Sequence, residues 1–426
     1  MRPQFRGYSP IGLVNPVSIP CDMDEKGIEV TLARLTRHAE HVVPKEDLAE
    51  RLKAGRPLRV KLGVDPTARD VTLGWAVPLR KLRQFQDEGH TAVLIVGDFT
   101  ARIGDPSGKS ATRPQLTKEQ VRSYAEAVFD QLFDILTRDN LEIRYNSEWL
   151  EGLDLAGVLK LTSYYTVAQM LERDDFAKRY RSKEPISIIE FMYPLLQAYD
   201  SVAVEADVEL GGTDQLFNLI VGRDMQRAFG QSPQIALTMP LLVGTDGVQK
   251  MSQSLGNYVG IRDAPAEMFG KLMSIPDRVL GQFAALAADL ADPEIATVVG
   301  AAAEGGPGAG KAKRAVARST VALYHGDEAA AAAEVSFDRQ FKEKREPEEV
   351  LEASIPHNSI DGETVFLPRV LAELGLASSR SEARRLIEGA GVRVNGATIR
   401  SEEVALGDLK GALLQVGKRR FVRLSE

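Results

Sequence analysis

Five short stretches collect side chains able to do chemistry. In ISIIEFMYPLLQAYDSVAV, Tyr193, Gln197 and Asp200 fall at i, i+4 and i+7, one face of a helix. An apolar helix face is ordinarily core. A face carrying a phenol, an amide and a carboxylate needs buried polar partners, which a ligand can supply. Just after it, ELGGTDQLFN brings Gly211 and Gly212, where backbone can approach something closely, followed by Asp214 and Gln215. DPTARDVTLGW, from Asp65 to Trp75, holds turn residues leading into a helix N-terminus. Such a terminus offers free backbone N–H groups to an anion such as phosphate. IGDPSGK, from Ile103 to Lys109, is another turn, with a lysine within reach of phosphate but without the GxxxxGK[ST] spacing of a P-loop. KMSQS, from Lys250 to Ser254, is a short loop between turns. Taken singly, a turn, an N-cap or a core hydrogen bond accounts for each loop.

The flanking segments say what must position them. Residues 24–57 carry apolar positions at three- and four-residue spacing up to Gly55 and read as helical. LRVKLGVDPTA is a β-type run that stops at Asp65-Pro66. Residues 76–88 are an amphipathic helix, with Val77, Leu79, Leu82 and Phe85 near one face and Gly89 at its end. TAVLIVGDFTA is a second strand, apolar enough to be buried on both faces. Strand, helix and strand make a right-handed βαβ unit, the seed of a parallel sheet that holds ligands at the carboxyl ends of its strands. Residues 110–185 read as a polar, helix-rich insertion. Residues 280–345, rich in Ala and Gly, read as helices with a flexible joint near 304–310, and 366–426 as a separate block.

The chain has 426 residues, 44% apolar and 27% charged, which suits a multi-domain soluble protein. Its one cysteine, Cys21, excludes an intramolecular disulfide and a multi-cysteine zinc site. No run of about 18 apolar residues is present, so no membrane-spanning helix is expected. Pro3, Pro10, Pro16 and Pro20 break up the first twenty residues, which hold no signal-peptide core. A cytoplasmic location is the expectation. The net charge of −7 argues against coating nucleic acid by bulk charge. Residues 366–426, however, hold 11 Lys+Arg against 7 Asp+Glu.

KMSQS resembles the KMSKS signature of class I aminoacyl-tRNA synthetases. Together with DPTARDVTLGW, IGDPSGK, YPLLQAYD and ELGGTDQLFN, in that order over about residues 58–260, it resembles the bacterial tyrosyl-tRNA synthetase family. The tail, with a helix, a Ser-rich cap, a helix bearing paired arginines and the VRVNG turn, is similar to the S-four RNA-binding domain. The resemblance implies an α/β fold. It implies that residues 1–57 form a helical segment, and 58–262 a Rossmann-like parallel-sheet catalytic domain with a helical insertion at about 110–185. An α-helical anticodon-side domain at 263–350 and a small α+β S-four-type domain at 366–426 follow. It implies ATP-dependent activation of tyrosine to tyrosyl-adenylate and transfer to tRNA, with ATP and Mg2+ as substrate. No bound organic cofactor, metal site or membrane is implied, and by the same resemblance a homodimer is expected.

By the same resemblance, Asp200 accepts the phenol hydroxyl of tyrosine, and Tyr193, Gln197 and Asp105 hold its amino group. Gln215 lies near the carboxylate, and Lys61 joins the tyrosine set. Asp65 faces the substrate, Asp214 binds ribose, and Gly63, Gly74 and Gly212 approach the nucleotide, as do Ser252 and Ser254. Lys250, with Lys109 and Arg113, serves the pyrophosphate. Arg380, Arg384, Arg385, Arg393, Lys418, Arg419 and Arg420 grip RNA phosphates. The sequence departs from the pattern in three places. The family's H-x-G-H motif aligns with Thr72-Leu73-Gly74-Trp75, leaving Thr72 as the donor. Gln253 replaces the second lysine of KMSKS. Lys61 stands where many members have tyrosine. A second expectation follows from these departures: a paralogue that keeps the tyrosine pocket without ordinary ATP activation, as a binding or regulatory protein, a specialised amide ligase or an aminoacyl transferase.

Overall fold

Six strands form the central sheet: β1 (His41–Val43), β2 (Arg59–Val64), β3 (Thr91–Val96), β4 (Leu141–Tyr145), β5 (Val208–Gly212) and β6 (Ile235–Met239). They belong to a computed structural model that describes residues 24–66, 69–105, 117–341, 351–417 and 420–425. The strand order is β1-β6-β5-β2-β3-β4. Every neighbouring pair is parallel except β1 with β6. The central strands are apolar runs with Val60, Leu62, Val93, Leu94, Val208 and Leu210 buried, as a sheet covered on both faces requires. The chain divides into two compact units with the boundary after Glu334.

Residues 24–57 are not one helical stretch. α1 (Glu25–Thr36), N-capped by Asp24, gives way to β1, and α2 (Lys45–Lys53) follows. His38 turns the chain with φ at 61°, and Pro44 precedes α2. Between them the β-branched Val42 and Val43 pair with Leu237 and Ala236 at the sheet edge. α3 (Leu73–Asp87) starts three residues earlier than its apolar stripe suggests, because Thr72 caps it.

The stretch 110–185 is likewise not wholly helical. After α4 (Lys118–Leu132), the alternating LEIRY run forms β4 and pairs in parallel with β3. Four short helices follow: α5 (Ser147–Leu150), α6 (Leu155–Thr162), α7 (Val167–Met170) and α8 (Asp174–Arg181). α9 (Ile188–Ala203) carries a Ser187/Glu190 capping box and packs against α10 (Leu216–Ala228) through a core including Leu195, Leu196, Ala198, Val221 and Met225.

α11 (Pro265–Met273), α12 (Leu280–Leu286), α13 (Asp292–Glu304), α14 (Gly306–His325) and α15 (Asp327–Phe341) follow. The joint expected near 304–310 is a break between α13 and α14 at Gly305, whose φ of 71° suits glycine. The second unit holds α16 (Leu367–Glu373) and α17 (Arg380–Glu388) beside a five-stranded and a three-stranded sheet. Val370, Leu371, Ile387, Val392, Leu414 and Leu424 form its own core.

Candidate active site

From β2 the chain steps through β3 and β4 to one side, then returns to place β5 and β6 on the other. The strand order therefore switches between β2 and β5, and crevices form at the carboxyl ends on either side of such a point. Asp65 follows β2, Thr100 follows β3, Asn146 follows β4, and Gly212 ends β5. The three chemical residues of α9 meet this edge.

At one end, polar groups form a continuous chain. Tyr193 Oη donates to Asp65 Oδ2 at 2.7 Å, and Thr100 Oγ1 donates to Asp65 Oδ1 at 2.9 Å. Asn146 Nδ2 donates to Thr100 Oγ1 at 3.0 Å and to Asp200 Oδ2 at 3.3 Å. Trp149 Nε1 donates to Asp200 Oδ1 at 2.8 Å. Asn146 is fixed in this sense because its own Oδ1 accepts from Phe99 N. Burial pushes the Asp200 carboxyl up to about 7, against the pull of the Lys61 charge and the Trp149 and Asn146 hydrogen bonds. Burial, then the nearby Asp65, pushes the Tyr193 phenol well above its ordinary value. Gly97 leaves room for this chain, since a Cβ there would stand 1.9 Å from Asp65 Oδ1. Sequence reasoning missed Thr100, Asn146 and Trp149. Thr100 at the end of the second strand was open to discovery by its place, whereas Asn146 and Trp149 lay in the stretch read as a polar insertion.

A second chain runs through amides. Gln197 Nε2 donates to Glu209 Oε1 at 3.0 Å, and Gln197 Oε1 accepts from Asn218 Nδ2 at 2.9 Å. The same Asn218 nitrogen donates to Gln215 Oε1, and Gln215 Nε2 donates to Asp105 Oδ2 at 2.7 Å. Arg173 donates to Asn218 Oδ1 and stands 4.0 Å from Asp105. Lys61, expected in the tyrosine set, does not line the pocket. It is wholly buried behind α9, and its Nζ donates to Gln197 O, Ser201 Oγ and Glu209 Oε1. Three acceptors take the three protons of the ammonium.

At the other end, Lys250 Nζ meets Asp214 Oδ2 at 2.6 Å. A Cβ on Gly212 would meet Leu241 at 2.6 Å and Asp214 at 2.7 Å, so glycine is needed there. Gly63 is exposed and open. Gly74 lies beside Met251, bringing the start of α3 and the KMSQS loop together. Ser252 and Ser254 bond each other at 2.9 Å, and Gln253 Nε2 donates to Asp70 O at 2.5 Å, tying the loop to the turn after β2. Thr72, expected as a catalytic donor, is buried and its Oγ1 accepts from Trp75 N as the α3 cap. Lys109 and Arg113 lie outside the described residues.

In the second unit Arg380, Arg385 and Arg393 are exposed. Arg384 pairs with Glu402 at 3.1 Å and lies over the Phe366 ring, and Arg420 donates to Leu376 O. Lys418 and Arg419 lie outside the described residues. Among the described residues no helix is long and apolar enough to cross a membrane, and no group of three His, Cys, Asp or Glu side chains is placed to hold a metal ion.

Residues 53–342 match the family described as tRNA synthetases class I (W and Y), and 367–409 match the S4 domain. The chain belongs to this class I synthetase family and carries an S4 domain. Its relatives include the tyrosine–tRNA ligase of Moorella thermoacetica, 47% identical over 94% of this chain and 97% of that protein. That of Thermotoga maritima is 48% identical over 92% and 96%. The tyrosyl-tRNA synthetase of Archaeoglobus fulgidus, solved with L-tyrosine, shares the fold at a TM-score of 0.58 and 24% identity, over 72% of this chain and 99% of that one.

Proposed function

We propose that this protein is a tyrosine–tRNA ligase. It activates tyrosine with ATP to tyrosyl-adenylate and passes the tyrosyl group to the 3′ end of tRNA. The observation that carries the reading is Asp200, a buried carboxylate on α9 beside Tyr193 and Gln197, in a chain nearly half identical to named tyrosine–tRNA ligases along almost its whole length. Held by Trp149 and Asn146, Asp200 is the acceptor for the ligand's phenol hydroxyl. A pocket built around that bond rejects phenylalanine strongly, since the buried carboxylate is then left without its partner.

The tyrosine carboxylate attacks the α-phosphate of ATP, and pyrophosphate leaves. No protein nucleophile takes part, so the protein contributes position and positive charge. Asp214 receives the ribose, and Lys250, released from Asp214, follows the leaving pyrophosphate. Mg2+ arrives with the ATP phosphates. Gln253 and Thr72 hold the KMSQS loop and the start of α3 in place, so the nucleotide end is ordered without the two signature histidines. The exposed arginines of the S4 domain support tRNA binding, and charging for translation implies a cytoplasmic location. The protein works as a homodimer. Exposed large apolar side chains concentrate between 145 and 189, at Leu155, Leu159, Val167, Tyr180 and Ile188 among others, as a surface covered by a second copy would show. A monomer by light scattering would contradict this.

The deciding experiment is tyrosine-dependent ATP–pyrophosphate exchange, run beside Thr72→His/Trp75→His and Lys250→Ala. Exchange by the wild type is expected, with a loss of about 10²–10³ in Lys250→Ala. No exchange in the wild type, with recovery in the histidine variant, would sink the ligase reading.

A further inference from the structure

Lys61 and Glu209 are register partners on the adjacent parallel strands β2 and β5, at a pair spacing of 2.9 Å, and exposed to 0% and 1%. A buried ion pair of this kind is weak evidence for stability, so its presence needs another account. Its surroundings are built around it. Glu209 Oε1 also accepts from Gln197 Nε2 at 3.0 Å, and Oε2 accepts from Ser201 Oγ at 3.0 Å and from Gln234 Nε2. Ser201 thereby donates to Glu209 while accepting from Lys61. Gly222 of α10 leaves the space for Gln234, because a Cβ there would stand 2.5 Å from its Nε2.

The consequence falls on an amide. An amide side chain fits a site in two orientations, exchanging donor for acceptor. Here neither end of the chain leaves that choice open. Glu209 offers only acceptor lone pairs, so the Gln197 NH2 must face it. Arg173 offers only donors, so Asn218 must turn its oxygen to Arg173 and its NH2 to Gln197 and Gln215. Both constraints point Gln197 Oε1 the same way. We propose that the Lys61–Glu209 pair is a positioning device that fixes the Gln197 amide with its oxygen toward the cleft, as an acceptor for the ammonium group of the bound amino acid. The carbonyl oxygen has two lone pairs, and Asn218 takes one. Gln197 is partly exposed, whereas Lys61 and Glu209 are buried. The pair thus acts on recognition without touching the ligand.

This inference deepens the proposed function and depends on it. Its test is the contrast between L-tyrosine and 3-(4-hydroxyphenyl)propionate, which keeps the phenol and the carboxylate and lacks the amino group. Affinities are measured by calorimetry for the wild type, Glu209→Gln and Lys61→Met/Glu209→Gln. The double variant leaves no unpaired buried cation and guards against simple misfolding. Both variants remove the acceptor-only partner of the Gln197 NH2 and leave Arg173, acting through Asn218, as the remaining constraint on the amide. Tyrosine affinity is expected to fall about tenfold or more, and analogue affinity less than about threefold. Ser201→Ala, which keeps the carboxylate, leaves the tyrosine-to-analogue ratio unchanged. Equal losses for both ligands, or an unchanged ratio in the double variant, would overturn the inference and leave the ligase reading standing. Failure of the wild type to bind tyrosine would overturn the ligase reading itself.

Discussion

Asp200 is held at odds with its own charge. Its carboxyl moves from the ordinary 3.8 up to about 7, with burial the largest cause. A raised carboxyl contributes stability that is complete below the unfolded value and is lost as pH rises through the folded one. Between about pH 4 and 7 the ligand-free fold therefore loses on the order of 4 kcal/mol from this group. A phenol hydroxyl donated to the ionised carboxylate returns part of it. The rise in Tm given by saturating tyrosine should accordingly grow between pH 6 and 8. Phenylalanine should give no such growth, and Asp200→Asn should flatten the profile. A tyrosine shift independent of pH would contradict the role given to Asp200. His90 runs the other way. Burial lowers its imidazole from 6.5 to about 4, so its contribution is present above 6.5 and is lost as pH falls toward 4. Acid unfolding of the wild type should show a limb of on the order of 3 kcal/mol in that window, absent in His90→Asn.

At the scale of elements, the fit between strand ends decides whether the site assembles. Gly97 closes β3 against Asp65, and a methyl group there would overlap Asp65 Oδ1 and crowd Thr100 Oγ1 at 2.5 Å. Gly97→Ala should cost about 1–3 kcal/mol of stability by overpacking. Exchange should fall further than that, by about 10²-fold, because Asp65 and Tyr193 move together. Full exchange activity in a destabilised Gly97→Ala protein would separate Asp65 from catalysis. The elements that carry these residues differed in how plainly the sequence announced them. The β2–α3–β3 unit was legible, because long apolar runs and a helical stripe leave few alternatives. β1 and β4 were not, being short edge strands whose pairing partners, β6 and β3, lie far along the chain. The face of α9 was legible because helical spacing is local. Asn146, Trp149 and Arg173 were not, since they reach their partners Asp200, Asp200 and Asn218 across 54, 51 and 45 residues.

Over the whole molecule, the net charge of −7 conceals a division of labour. Residues 366–426 carry 11 basic and 7 acidic side chains, so the acidity belongs to the rest of the chain. An acidic body repels the RNA backbone except where the basic module holds it, which favours a defined docking point over diffuse adsorption. Arg380, Arg385 and Arg393 are exposed cations of that module, and among the described residues none of the three is held in an ion pair such as that of Arg384. In the proposed RNA contact each phosphate they hold releases counterion, so affinity should fall steeply with salt. The triple variant Arg380→Ala/Arg385→Ala/Arg393→Ala should bind tRNA about tenfold or more weakly at physiological salt. Its log-affinity against log-salt slope should be shallower by about one per lost contact. Tyrosine-dependent ATP–pyrophosphate exchange, which needs no tRNA, should stay at the wild-type rate, while tRNA charging at low tRNA concentration drops. A variant that keeps its salt slope would remove these arginines from the RNA contact. One that loses exchange as well would mean that the two units depend on each other for more than tRNA capture.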